Sequence, residues 1–169
     1  MSDLFHSIPE VPKNESATNA IARFVDSTGF RYRWATEGLT ENEFNFRPHP
    51  TSMSMHEVIV HLHQMAFYSN ETFGGVRQKL ASLESFMAIR NETLEVYEEL
   101  SNRLKEMDDS ELETCLLNKS NPNPNFPFWF ILNGPIADSL IHIGQITSWR
   151  RIAGNPQMKG VNPFLGTKK

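Results

Sequence analysis

Two histidines and an aspartate in this chain are spaced so that they could hold one divalent metal ion. Asp138 and His142 stand four residues apart in the segment from Ile136 to Ile152. Helical spacing there stacks both side chains on one face. Gln145 and Trp149 continue that stripe within about 60° at 100° per residue. The flanking Ile141, Ile146 and Ile152 are expected to turn it away from open water. A carboxylate and an imidazole one turn apart reach a common point, either as ligands of one ion or as hydrogen-bond partners across the turn. His61, in an earlier segment, borders an apolar stripe that includes Val58 and Met65. That position suits a ligand or a hydrogen-bonded core histidine. If the two segments pack together, His61, Asp138 and His142 offer two imidazoles and one carboxylate. Such a set suits Zn²⁺ or Fe²⁺ and leaves positions for water or substrate, which distinguishes a catalytic site from a structural one. Gln145 would stand behind a ligand and orient it. His56 and His63 lie about 140–160° from Val58, on another side of the helix.

The elements that must position these groups are helices. Ala17, Ile21, Phe24, Thr28, Tyr32, Ala35 and Leu39 recur at steps of three and four, with Ser16 as N-cap and Gly38 near the stop. Residues 40–53 carry Pro48 and Pro50 and read as a loop. Ser54-Met55-His56-Glu57 is a capping box that opens the second helix, and Gly74-Gly75 closes it. A third helix runs from about Glu84 to Met107 on the stripe Phe86, Ile89, Thr93, Val96, Leu100 and Leu104. Glu92, Glu95, Glu99 and Arg103 face water, and Asp108-Asp109-Ser110 ends it. Residues 118–127 form a Pro-rich loop. Asn133-Gly134-Pro135 starts the fourth helix, with Pro135 in the first turn, where its missing N–H costs nothing. Arg150 and Arg151 complement its C-terminal dipole before Gly154-Asn155-Pro156. No segment alternates as a strand would. The expectation is an all-α four-helix bundle over 15–156, an extended arm over 1–14 and an irregular tail over 157–169.

Two strings carry a family resemblance. Ser54-Met55-His56-Glu57-Val58-Ile59-Val60-His61-Leu62 follows a Leu39-Thr40…Arg47-Pro48 loop, and His142-Ile143-Gly144-Gln145 precedes Arg150/Arg151, Gly154 and Pro156. Over residues 16–156 this pattern resembles the DinB/YfiT-like superfamily. The resemblance implies a four-helix bundle in which three side chains, commonly histidines, bind a divalent ion such as Zn, Ni, Fe or Mn. It also implies a thiol-dependent transferase or isomerase chemistry with a low-molecular-weight thiol. His61 matches the helix-two ligand and His142 the second ligand of helix four. Asp138 stands where the family has a histidine, a change that lowers the site's charge by one unit and weakens the ion as a Lewis acid.

Composition bounds the remaining possibilities. The 169 residues carry 16 basic and 20 acidic side chains, a formal net charge of −4. That balance opposes a nucleic-acid or anionic-membrane surface. The single cysteine, Cys115, excludes an intrachain disulfide and a Cys-rich metal knot; nothing in the sequence activates its thiol. The longest apolar run, Phe126–Leu132, contains Pro127 and is far too short to cross a membrane, and the first residues lack a secretory pattern. The expected protein is cytoplasmic, acts on a small-molecule substrate and forms a homodimer. Two functions are in contention. One is a metal-dependent transferase or hydrolase that activates a small thiol or water. The other is a non-catalytic stress-related or binding protein with a degenerate site.

Overall fold

Ser16 begins the first helix as the spacing predicts: its hydroxyl accepts the Asn19 N–H at the start of α1 (Ala17–Thr36). The computed structural model describes residues 3–76, 83, 85–115 and 127–169. The chain continues through a short α2 (Glu41–Phe44), then α3 (Met55–Thr72), α4 (Phe86–Glu106), a 3₁₀ turn (Asp109–Thr114), α5 (Trp129–Ile131), a π-helical turn (Leu132–Ile136) and α6 (Ala137–Ile152). The fold is mostly helical. Each of the four long helices packs on two others: α1 on α4 and α6, and α3 on α4 and α6. Ile21, Val25, Phe30, Val58, Leu62, Ile89, Leu100, Ile131 and Ile146 are among the side chains buried between them.

Several expectations are corrected. Residues 40–53 are not all loop, because Thr40 and Glu43 form a capping box and nucleate α2. Phe24, placed on the inner stripe, is 59% exposed. Glu92, placed in water, is buried, because it pairs with the buried His63 across the α3–α4 contact. The helical path starts upstream of Pro135, at Trp129. Gly134, at φ −95° and ψ −106°, breaks the helical geometry, and a π turn carries the chain around the proline. The tail is not wholly irregular: β1 (Val161–Asn162) pairs antiparallel with β2 (Thr167–Lys168). The expected Pro-rich loop over 118–127 lies outside the described residues except for Pro127, as does Glu84.

The arm is fastened rather than free. Phe5 is buried, and its ring fills the space beside Gly29 where a Cβ would clash at 2.8 Å. Arg33 donates to the Leu4 carbonyl at 2.8 Å, and the Ile8 N–H donates to the Gly166 carbonyl, also at 2.8 Å. The α1 N-terminus gains a second cap from far along the chain. Asp109 accepts the N–H groups of Ala17 and Thr18 at 3.0 and 2.9 Å, and these bonds hold its carboxyl below the usual range. The α1 C-terminus is closed by Arg150. Expected only to complement a dipole, this guanidinium is 1% exposed and donates to the carbonyls of Ala35, Glu37 and Asn155 at 2.8, 2.9 and 2.7 Å. Among the described residues, no helix is long and apolar enough to cross a membrane.

Candidate metal centre

The contact between α3 and α6 brings His61, Asp138 and His142 together, with one potential ligand atom of each within 4.8 Å of the others. The capping box of Ser54 and Glu57 sets the start, and hence the phase, of α3. Glu57 accepts the Ser54 N–H at 2.6 Å and pairs with Arg47 at 2.8 Å. These partners, the Ser54 N–H foremost, hold its carboxyl below the usual range and commit it to the cap rather than to acid–base work. One turn later His61 points toward α6.

On α6 the phase is set by the π turn and by a lock behind it. The Ser139 hydroxyl donates to the Pro135 carbonyl at 2.6 Å, and the buried Tyr97 of α4 donates to Ser139 Oγ at 3.3 Å. Burial pushes the Tyr97 phenol up to about 12. With Ser139 fixed inward, the neighbouring Asp138 faces α3. Asp138 Oδ2 lies 3.4 Å from His61 Nε2 and 3.5 Å from His142 Nε2. The two imidazoles stand edge to face, with centroids 4.8 Å apart and planes at 86°. Gln145, one turn beyond His142, accepts the His142 Nδ1 proton through its side-chain carbonyl at 2.8 Å. That bond places the lone pair of His142 on Nε2, the nitrogen turned toward Asp138.

These residues fit a divalent ion. Metal–ligand bonds of about 2.0–2.2 Å set neighbouring tetrahedral ligands about 3.3–3.6 Å apart. The two separations that involve Asp138 lie in that range already. The third is at most 4.8 Å, so a small inward turn of the imidazoles would complete the set. Two imidazoles and one carboxylate also match the donor chemistry of such ions.

Burial differs from expectation. The side chains of His61 and Asp138 are 36% and 43% exposed and that of His142 13%. The flanking isoleucines do not close the stripe: Ile141 and Ile152 are exposed, and only Ile146 is buried. The group is therefore partly open to solvent, through His61 and Asp138 more than through His142. His56 and His63 are elsewhere. His56 Nε2 contacts the Leu83 carbonyl at 2.9 Å, and His63 is buried against Glu92. Cys115 is buried, and in the apolar run that follows Pro127, Phe128 is buried while Trp129 and Phe130 are exposed.

Sequence reasoning missed the buried His63–Glu92 pair. Glu92 lies three residues after Ile89 and four before Val96, at the edge of the α4 stripe, and that placement was the available signal. Compared with known proteins, the chain matches no family model, no curated protein and no solved structure.

Proposed function

We propose that this chain is a DinB/YfiT-like four-helix bundle that binds one divalent ion through His61, Asp138 and His142. In this reading it activates a small thiol or water toward a small electrophilic substrate. The observation that carries the proposal is the convergence of Asp138 Oδ2 and both histidine Nε2 atoms, backed by the Gln145 bond to His142. When bound, a divalent ion supplies Lewis acidity, which makes a thiol or water at an open position a better nucleophile near neutral pH.

The chain's own groups do the rest. Gln145 holds His142 in the tautomer that presents Nε2. Asp138 brings a negative charge between the imidazoles, which steadies the cation and moderates its acidity. The exposed edges of His61 and Asp138 leave a side from which substrate can approach.

Metal per chain, measured by elemental analysis on freshly purified wild type, Asp138→Ala, Asp138→Asn and Asp138→His, tests the proposal. Wild type should hold about one equivalent, Asp138→Ala should lose most of it, and Asp138→His should retain it. Full occupancy in both the Ala and Asn variants would remove Asp138 from the site. Wild type with under about a tenth of an equivalent, and no rise in Tm with Zn²⁺, Ni²⁺, Mn²⁺ or Fe²⁺, would leave Asp138 as a hydrogen-bond bridge in a non-catalytic binding protein.

A further inference from the structure

On a different side of α6, a second feature lies where α6, α1 and the C-terminal hairpin meet. Two cavities, of about 310 and 450 Å³, share Arg31 of α1 and Pro163 of the β1–β2 turn as lining. Their walls are largely apolar: Phe30, Leu140, Ile143 and Val161 on one side of Arg31, Phe24 and Leu165 on the other. Phe24 and Leu165 are each 59% exposed, a large apolar area left in water.

Among the described residues, the half-buried Arg31 guanidinium donates only to neutral oxygens, those of Ser27 and the Pro163 carbonyl. Among the described residues no carboxylate pairs with it or with Arg23, which lines the second cavity and donates to the Pro9 carbonyl. Burial lowers the Arg31 pKa, a sign that the cation has lost water without gaining a counter-charge. A partly desolvated cation in that condition is costly, and an anion would relieve it.

Gly144 points the same way. It sits in the interior of α6, where glycine costs about 1 kcal/mol relative to alanine. Apart from the helix's own backbone and the adjoining residues, no atom lies within 4 Å of the place its Cβ would occupy, so packing does not demand a glycine there. The residue lines the 310 Å³ cavity, and its missing side chain keeps that space open.

We propose that this trough binds a small anionic amphiphile, with its negative head on Arg31 and its apolar chain along the walls beside Gly144. Each of the two cavities is within the usual range for small-molecule sites. The site is separate from the His61–Asp138–His142 group and does not depend on metal.

Isothermal titration calorimetry of the full chain with octanoate tests it, using acetate as the head alone and octylammonium as the same chain with reversed charge. Octanoate should saturate at one per chain and bind at least about tenfold more tightly than either control. Arg31→Gln should weaken octanoate about tenfold. Gly144→Leu should abolish saturable binding while far-UV circular dichroism and Tm show a folded helix bundle. Acetate or octylammonium binding as tightly as octanoate would overturn the proposal. So would octanoate binding unchanged in Arg31→Gln, or no saturation by wild type at about 10 mM. If Gly144→Leu does not fold, Arg31→Gln decides alone.

Discussion

Replacing Arg150 by methionine should cost this protein a large share of its stability. The guanidinium is wholly enclosed and closes the C-terminal end of α1 through the carbonyls of Ala35 and Glu37, while it also ties down Asn155. Methionine fills much of the same volume, so a cavity contributes little; the loss falls on the carbonyls. Ala35 is fully buried, and its oxygen would lose a charge-assisted bond with no water to replace it. Glu37 and Asn155 are only partly buried, and water can recover part of their loss. At about 1–3 kcal/mol for each buried acceptor left unmet, the expected cost is about 3–5 kcal/mol. For a chain of this size, each kcal/mol moves Tm by about 2–4 °C, so the melt should fall by roughly 6–20 °C. Urea unfolding and thermal melts followed by far-UV circular dichroism measure both quantities. Arg150→Lys, which can reach one carbonyl but lacks the fork, should fall between methionine and wild type. A methionine variant within about 1 kcal/mol of wild type would refute the view that this guanidinium closes α1.

Other perturbations address the site and its supports. Gln145→Leu removes the acceptor of the His142 Nδ1 proton and should weaken metal affinity about 10–100-fold with ligand count unchanged, as read by competition with a chromogenic chelator. His56→Ala should leave metal content as in wild type, and so should His63→Ala, though the latter should lower Tm because it breaks the buried pair with Glu92. If either variant loses as much metal as His61→Ala, the phase assigned to α3 is wrong. Tyr97 supplies a pH test. Its folded pKa is raised, so its contribution is complete below pH 10 and is lost as pH rises from about 10 toward 12. A shift of that size corresponds to about 2–3 kcal/mol. The urea midpoint should fall over that window in wild type and fall less in Tyr97→Phe; equal slopes would contradict the assignment.

Much of the helical frame was readable because its signals are local. Ser16 and the Ser54–Glu57 box are caps that a few residues specify, and α1, α3, α4 and the body of α6 follow from their apolar spacing. The candidate group was partly legible for the same reason: Asp138, His142 and Gln145 share a face by helical arithmetic alone. His61 joined them through the expectation that two helices pack, which is a long-range fact. The failures are long-range as well. Glu92 and His63 each look solvent-bound alone and become buried only as a pair. Arg150 resembles any cation in a last turn until its α1 partners are present. Phe24 and Ile141 show that an apolar side chain at helical spacing can still face water when no neighbouring element among the described residues covers it. Strands of two residues, as in β1 and β2, are too short for alternation to reveal.

The double capping of α1 has a consequence for how the chain is made. Ser16 caps it locally, but Asp109 comes from the 3₁₀ turn that follows α4, and α4 is also a main packing partner of α1. On a ribosome, α1 is therefore synthesised well before the surface that shelters Ile21, Val25 and Tyr32. At 5–20 residues per second, the wait from the end of α1 to the end of α4 is about 4–14 s. During that interval the nascent segment is an amphipathic helix without a mate, a natural client for a chaperone that holds apolar stripes. Ribosome-bound chains ending before Phe86 should be captured, and chains long enough for Asp109 to have left the exit tunnel should be released.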